Sequence, residues 1–518
     1  MHRDLRHDAG PLLRLRDGNT AVTRDLYLTF DVGTGGLRAA LVDRAGRILA
    51  FAHVEHEQVV PQYGWSEQRP ADWWNGTVQA IRAVLQKVPD AAGRIAAICG
   101  CGQMHGSVLV DADGNLTREA ALLWNDKRTA PQVATFAARV PQEAYFSITA
   151  NLPAPAWPAF KLLWLMQNEP ATVDRAASLL MPKDWINLCL TGQRAQDVTE
   201  ASLSFLMDVQ TRDWSGEMAN LVGIPRRLLP RLREPGEVLG GLTEQAAGLL
   251  GLAPGIPVLV GCGDYPMALL GSGVRSAGMG SDVTGTSTII TLLHAAPVMD
   301  PAVSNVISGS GVWGAMTLLD AGGDAVRWAR RAFHENQRSY AEVSEDAARA
   351  ESGAKGLFFL PYLTGERFGA CRNSRAQFFG LTAAHGLPEL HRAVLEGVAF
   401  SVRQQLDALQ AGHGRPEVIV AASGGAKAAL WLQIKASMYG VPYVVPEELE
   451  CGIVGAAMLA SVASGDLPDL STATEQMVRY GATVLPDPEA AERYDRMMPI
   501  YSRLYRAAQS FYDDLDRL

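Results

Sequence analysis

Two stretches of the chain share one pattern of apolar and polar positions. From Leu26 to Asp43 the chain reads LYLTFDVGTGGLRAALVD, and from Ser281 to Leu293 it reads SDVTGTSTIITLL. Each places an Asp and then a Gly-Thr step between apolar, β-rich segments, which predicts a hairpin. A Gly/Thr/Ser turn between strands exposes backbone N–H groups, and phosphate oxygens are their natural guests. Two such hairpins point to a duplicated fold that grips one polyphosphate from two sides.

The pattern between and beyond them alternates strand and helix. RILAFAHVEHEQV is a further β-like run ending before Pro61. Asp72 is expected to cap a helix through WWNGTVQAIRAVLQKV, with Val78, Ile81 and Leu85 at helical spacing. IAAICGCG then predicts a buried strand leading into Gln103-Met104-His105-Gly106, followed by a strand and turn in SVLVDADGNL. In the second half, GAMTLLDAGG predicts a strand ending in glycines. A long helix begins at Leu387-Pro388-Glu389, with Leu390, Val394, Val398, Val402 and Leu406 four apart. PEVIVAASGG is a strand into a glycine turn, ALWLQIKASMYG a helix closed by Gly440, and VPYVV the next strand. The run from Gly452 to Gly465 reads as a close-packed helix. The fold class is therefore α/β, with a three-strand meander followed by strand–helix–strand in each half, the plan of RNase H-like ATPase domains. The Gly-rich stretch 271–280 marks the boundary, giving domains 26–275 and 276–518. GSGVWG at 309–314 mimics a dinucleotide fingerprint, but the strand-like AMTLLD follows where a helix is needed. No Walker A sequence is present.

Composition narrows the partners. A chain of 518 residues is too long for one core. A net charge of −9 argues against a nucleic-acid surface, though not against an anionic ligand held by local N–H groups. Six cysteines (Cys99, Cys101, Cys189, Cys262, Cys371 and Cys451) lack CxxC spacing and read as free thiols of a reducing, cytoplasmic compartment. Cys99 and Cys101 are expected on one face of their strand. No segment has the length of a membrane span. Residues 1–25 are polar, without the apolar core of a secretory signal. They read as a disordered extension or the product of a misplaced start codon.

Several residues are candidates for chemistry. Asp31 ends an apolar strand before Gly33-Thr34. It either caps a turn or faces a phosphate through a cation, which implies Mg²⁺ held through water. Asp264 follows the apolar strand Val258–Val260 and a glycine step. That is where α/β folds place catalysts, and a lone Asp there is either a general base or a helix cap. His105 is a hydrogen-bonding partner for a substrate hydroxyl, with Met104 as an apolar wall, or a structural residue. Trp124-Asn125-Asp126 are polyol ligands or a turn. Ser423-Gly424-Gly425-Ala426 opens either an anion site at a helix start or a tight turn.

These motifs together resemble the FGGY carbohydrate kinases, and within them the xylulokinases. The resemblance runs from about Leu26 to about Gly465. It rests on AQFFGLTAAHGLPELHRAVLE (376–396), on PAFKLLWL (158–165), and on GQMHG (102–106), LLWNDKR (122–128) and PYLTGER (361–367). It implies two actin-like ATPase domains with a catalytic cleft between them, and a cytoplasmic enzyme using ATP and Mg²⁺. The reaction implied is phosphorylation of a ketopentose resembling D-xylulose at its terminal hydroxyl, giving sugar phosphate and ADP. By position, Asp264 is the base, Asp31 the metal residue, and Met104 and His105 the ketose contacts. Thr34, Gly285, Thr286, Gly323 and Gly425 line the nucleotide. Tyr265-Pro266 stands where xylulokinases usually carry Asn, beside the sugar pocket, so ribulose, a deoxy sugar or a tetritol are the alternative acceptors. A non-catalytic sugar-binding regulator would need a lost phosphate loop, Asp31 or Asp264, and all are present. The amphipathic C-terminal stretch YDRMMPIYSRLYRAAQSFYDDL covers the second domain or forms a homodimer contact.

Overall fold

A computed structural model describes residues 24–366, 373–412 and 414–518. The expected extension lies outside the described residues except for Arg24 and Asp25, as do Arg367 and Cys371. Asp25 itself is anchored, its carboxylate accepting from Arg94 at 2.8 Å.

The first domain is built on a seven-stranded sheet. Strand β1 (Leu26–Val32) turns into β2 (Gly36–Asp43), and β3 (Ile48–Glu55) completes an antiparallel meander. Helix α1 (Pro70–Lys87) follows, and β4 (Ile95–Gly102) returns parallel to β1. Every residue of β1 is buried, as expected of a strand covered on both faces. Asp72 is not the cap of α1: Pro70 presets the first turn, Arg69 stands at the cap, and Asp72 pairs with it at 3.0 Å. Helices α2 (Pro158–Asn168), α3 (Pro182–Thr191) and the single turn α4 (Val198–Ser202) come next. Strands β5 (Val238–Gly241) and β6 (Pro257–Leu259) extend the sheet to the order β5-β6-β4-β1-β2-β3, and β7 (Cys262–Gly263) also pairs with β4. Helix α5 (Asp264–Gly271) starts directly from β7.

The second domain repeats the arrangement. Strands β8 (Met279–Thr284), β9 (Thr288–His294), β10 (Ser304–Ile307) and β11 (Trp313–Leu319) pair antiparallel. After α6 (Gly323–His334) and α7 (Leu387–Gln410), β12 (Val418–Ala422) lies parallel to β8. Helix α8 (Ala429–Tyr439), closed by Gly440, leads to β13 (Tyr443–Val444). The order is β10-β11-β9-β8-β12-β13, so each hairpin's first strand lies beside a parallel strand.

The last helices divide between the two cores. Helix α9 (Cys451–Ala463) and α10 (Leu470–Met477) follow the second sheet in sequence but pack on the first. Ile453, Val454, Ala457 and Met458 share a core with Tyr27, Val42, Cys99 and Cys101. A cut at 275/276 thus separates the two sheets but not the two cores. Cys99 and Cys101 do face the same side. Helix α11 (Pro488–Leu515) buries Tyr494, Met497, Tyr501 and Tyr512 in the second core.

Helices α5 and α9 cross at glycines. A Cβ on Gly271 would lie 1.8 Å from the Cys451 carbonyl oxygen, and one on Gly455 2.4 Å from that of Met267. Both obstacles are backbone, so a side chain forces the helices apart. Gly271→Ala is expected to destabilise the fold by about 1–3 kcal/mol, read by urea denaturation.

Candidate active site

The first hairpin and two strand ends of the first sheet converge. In register, Asp31 on β1 lies opposite Arg38 on β2 and beside Cys101 on β4, and Cys101 pairs with Cys262 on β7. Asp31, the turn Met104-His105 and Asp264 therefore all sit at the carboxyl ends of neighbouring strands.

Asp31 is buried, and its Oδ2 accepts from Arg38 at 2.9 Å. Burial raises its pKa, with Arg38 opposing. Its Oδ1 is buried without a hydrogen-bond partner. Arg38 also lies 3.7 Å from Glu450, which precedes α9. Asp264 is half-buried, and its Oδ1 accepts from the Tyr265 N–H at 2.7 Å. Loss of solvent, then the charge of Asp31, push its carboxyl up to about 7. Two acids at neighbouring strand ends thus sit in different surroundings, Asp31 paired with a guanidinium and Asp264 raised to about 7.

Met104 packs against Gly263, where a Cβ would lie 2.7 Å from its Cγ. His105 takes a left-handed backbone, φ 66°. Its ring packs edge-on to Trp157 at 5.1 Å, and its Nδ1 is buried without a partner. Burial, and then Lys161, hold its pKa well below the ordinary value, so the imidazole is neutral. The structure thus brings Met104, His105, Asp264 and Asp31 to one place.

The second hairpin gathers the remaining candidates. The N–H of Gly323 donates to Gly285 O at 2.7 Å and that of Asp324 to Thr286 O at 3.2 Å, seating the start of α6 on the turn. A Cβ on Gly425 would lie 2.7 Å from Thr284 Cβ, and one on Gly323 2.7 Å from Gly285 O. Ser423 holds φ 68° and ψ −159°, a conformation stored at functional turns. Gly285, Thr286, Gly323 and Gly425 therefore lie together on one backbone-lined turn region. Asp282, whose position in the hairpin matches Asp31, is turned inward. It accepts from Lys435 at 2.8 Å, Tyr443 at 2.9 Å and Thr284 at 2.6 Å.

Other candidates land differently. The Thr34 hydroxyl donates to Gln103 Oε1 at 3.2 Å and accepts from Trp124 Nε1 at 3.0 Å. Asp126 is structural, bound to Arg128 and to the Ser66 N–H at 2.7 Å. Tyr265 directs its hydroxyl to Thr291 Oγ1 of the second sheet at 2.6 Å. Arg38, Lys161 and Glu200 were not singled out from the sequence. Arg38 had a local signal, its place two strand residues past the Gly-Gly step. Lys161 and Glu200 become visible only when folding brings them to His105.

Comparison with known proteins agrees with the two-domain fold. The N-terminal domain model of the FGGY family of carbohydrate kinases matches residues 26–271, and its C-terminal domain model matches 281–464. Xylulose kinase of Escherichia coli K12 is 31% identical over 93% of this chain and 99% of its own. Xylulose kinase of Klebsiella pneumoniae is 32% identical over 93% and 98%. The crystal structure of xylulose kinase from Rhodospirillum rubrum superposes with a TM-score of 0.89 at 29% identity, over 94% of this chain and all of that one. With two-domain topology, family models over both domains and whole-chain similarity in agreement, this chain belongs to the FGGY family of carbohydrate kinases.

Proposed function

We propose that the chain transfers the γ-phosphoryl group of ATP to the terminal hydroxyl of D-xylulose, giving xylulose phosphate and ADP. The observation that carries this reading is Asp264, a carboxyl raised to about 7 beside the Met104-His105 turn. The sugar is taken from the relatives, which are named xylulose kinases.

Asp264 accepts the proton of the attacking hydroxyl, whose oxygen bonds the γ-phosphorus as the bond to ADP breaks. Afterwards Asp264 releases that proton to solvent. His105 and Met104 hold the ketose, the neutral Nδ1 meeting one of its oxygens. Gly285, Thr286, Gly323 and Gly425 line the nucleotide, their lack of side chains or their exposed turn letting phosphate and ribose approach the backbone. The unpartnered Oδ1 of Asp31 fits a carboxylate that holds hydrated Mg²⁺. Bound with ATP, the ion offsets negative charge on the phosphates. Closure of the cleft excludes water, a competing acceptor.

A coupled ADP-release assay over pentuloses, hexuloses and polyols with Mg-ATP tests the reading. D-xylulose is expected to give the highest kcat/KM, and silence across the panel overturns it. Gly425→Ala checks the nucleotide patch, since its new methyl meets Thr284. It is expected to raise the ATP KM roughly 10-fold with little change in the sugar KM.

A further inference from the structure

One short element touches both sides of the proposed sugar site. Helix α4 is a single turn that follows Asp197 and is wholly buried. Thr199 Oγ1 accepts the N–H of Gly263 at 3.2 Å, the residue before the base Asp264. Glu200, the next residue, accepts the N–H of His105 at 3.3 Å through Oε2. The carbonyl of the same His105 accepts from buried Lys161 at 2.6 Å. The left-handed His105 peptide is therefore held at both its N–H and its C=O.

The turn is itself anchored. Asp197 accepts from the N–H groups of Thr199 and Glu200 at 2.9 and 3.1 Å and from the Thr199 hydroxyl. Its other oxygen lies 3.0 Å from Lys183 Nζ. Lys183 also bonds Asp184 and the Val260 carbonyl, the latter at 2.9 Å, just upstream of the base. All of Lys183, Asp184, Asp197, Thr199 and Glu200 are at most 1% exposed.

We propose that Thr199 and Glu200 are positioning residues that together set the spacing between the base Asp264 and the sugar-holding turn at His105. Thr199 acts through the Gly263 peptide and Glu200 through the His105 peptide. Burial, and then the nearby acids Asp197 and Asp184, raise the Glu200 carboxyl well above its ordinary range, so Gln mimics its protonated form. This inference rests on the proposed kinase reading.

The test is steady-state kinetics of the full chain with Mg-ATP and the sugar that the wild type turns over best. Thr199→Val removes the acceptor of the Gly263 N–H. It is expected to lower kcat about 10- to 100-fold while the ATP KM stays unchanged, because small misplacement of a reacting group is costly. Thr199→Ser keeps the hydroxyl and is expected to recover most of that loss. Glu200→Leu is expected to raise the sugar KM roughly 10-fold, and Glu200→Gln to leave it near wild type. A purely structural role predicts parallel losses in kcat, both KM values and melting temperature, with no recovery in the Ser or Gln variants. That result, or a Thr199→Val enzyme with wild-type kcat, overturns the inference. If Thr199→Val does not fold, the comparison of Thr199→Ser with Thr199→Ala decides by the same criteria. A wild type silent on every sugar overturns the kinase reading, and this inference with it. An active wild type with indifferent variants overturns the inference alone.

Discussion

Asp264→Asn is expected to lower kcat by about 10²–10⁴-fold, the usual range for loss of a positioned general base. The substitution keeps shape and keeps an oxygen for the Tyr265 N–H, so binding of ATP should change little. The wild-type pH profile gives an independent check. The base works only when ionised, and its carboxyl is raised to about 7 by burial and by Asp31. Turnover is therefore low in acid and rises as pH passes through about 7. Asp264→Asn abolishes that acidic limb along with the rate. A variant at 264 that retained both the rate and the limb would remove Asp264 from the role.

The largest expected loss of stability is at Lys183. Its ammonium lies between Asp184 and Asp197 with no solvent access. Lys183→Met preserves most of the volume but leaves two buried carboxylates facing each other. Uncompensated buried charge of this kind costs about 3–5 kcal/mol, to be measured by chemical denaturation. The sign with pH follows from linkage. Burial and Asp197 already raise the Asp184 carboxyl despite Lys183, and removing the lysine raises it further. A raised folded-state pKa means the variant binds protons on folding. Its deficit is thus full at neutral pH and narrows as pH falls and the acids are neutralised.

What the sequence made legible was local. The hairpins at Asp31 and Gly285, the glycine turn at Gly425 and the strand end at Asp264 each carry turn chemistry beside an apolar run. Their spacing along the chain reports their structure directly. Residues coupled across the fold carried no such mark. Lys435 is 153 residues from Asp282, yet it is what turns the second hairpin's Asp into a core residue, while Asp31 stays in the cleft. Thr199 lies 64 residues from Gly263, and Tyr265 is 26 residues from Thr291, whose hydroxyl it meets. The small-residue run at 452–465 was legible as a tightly packed helix. Its partner was not, because Gly, Ala and Ser permit close approach without specifying to what.

That helix has a consequence for how the protein is made. The inner face of the first sheet, with Tyr27, Val42, Cys99 and Cys101, is covered by residues 451–477. During synthesis the chain through β7 and α5 emerges with this face bare, and it stays bare while the whole second sheet is being translated. The domain nearest the N-terminus is therefore sealed only after the second sheet has been made, and α11 then closes the second core. A ribosome that stops short of residue 451 releases a chain with a finished phosphate turn and an open apolar sheet, a natural client for chaperones. Asp264, the proposed base on the helix that α9 crosses, is set in its final place only when nearly all of the protein has been made.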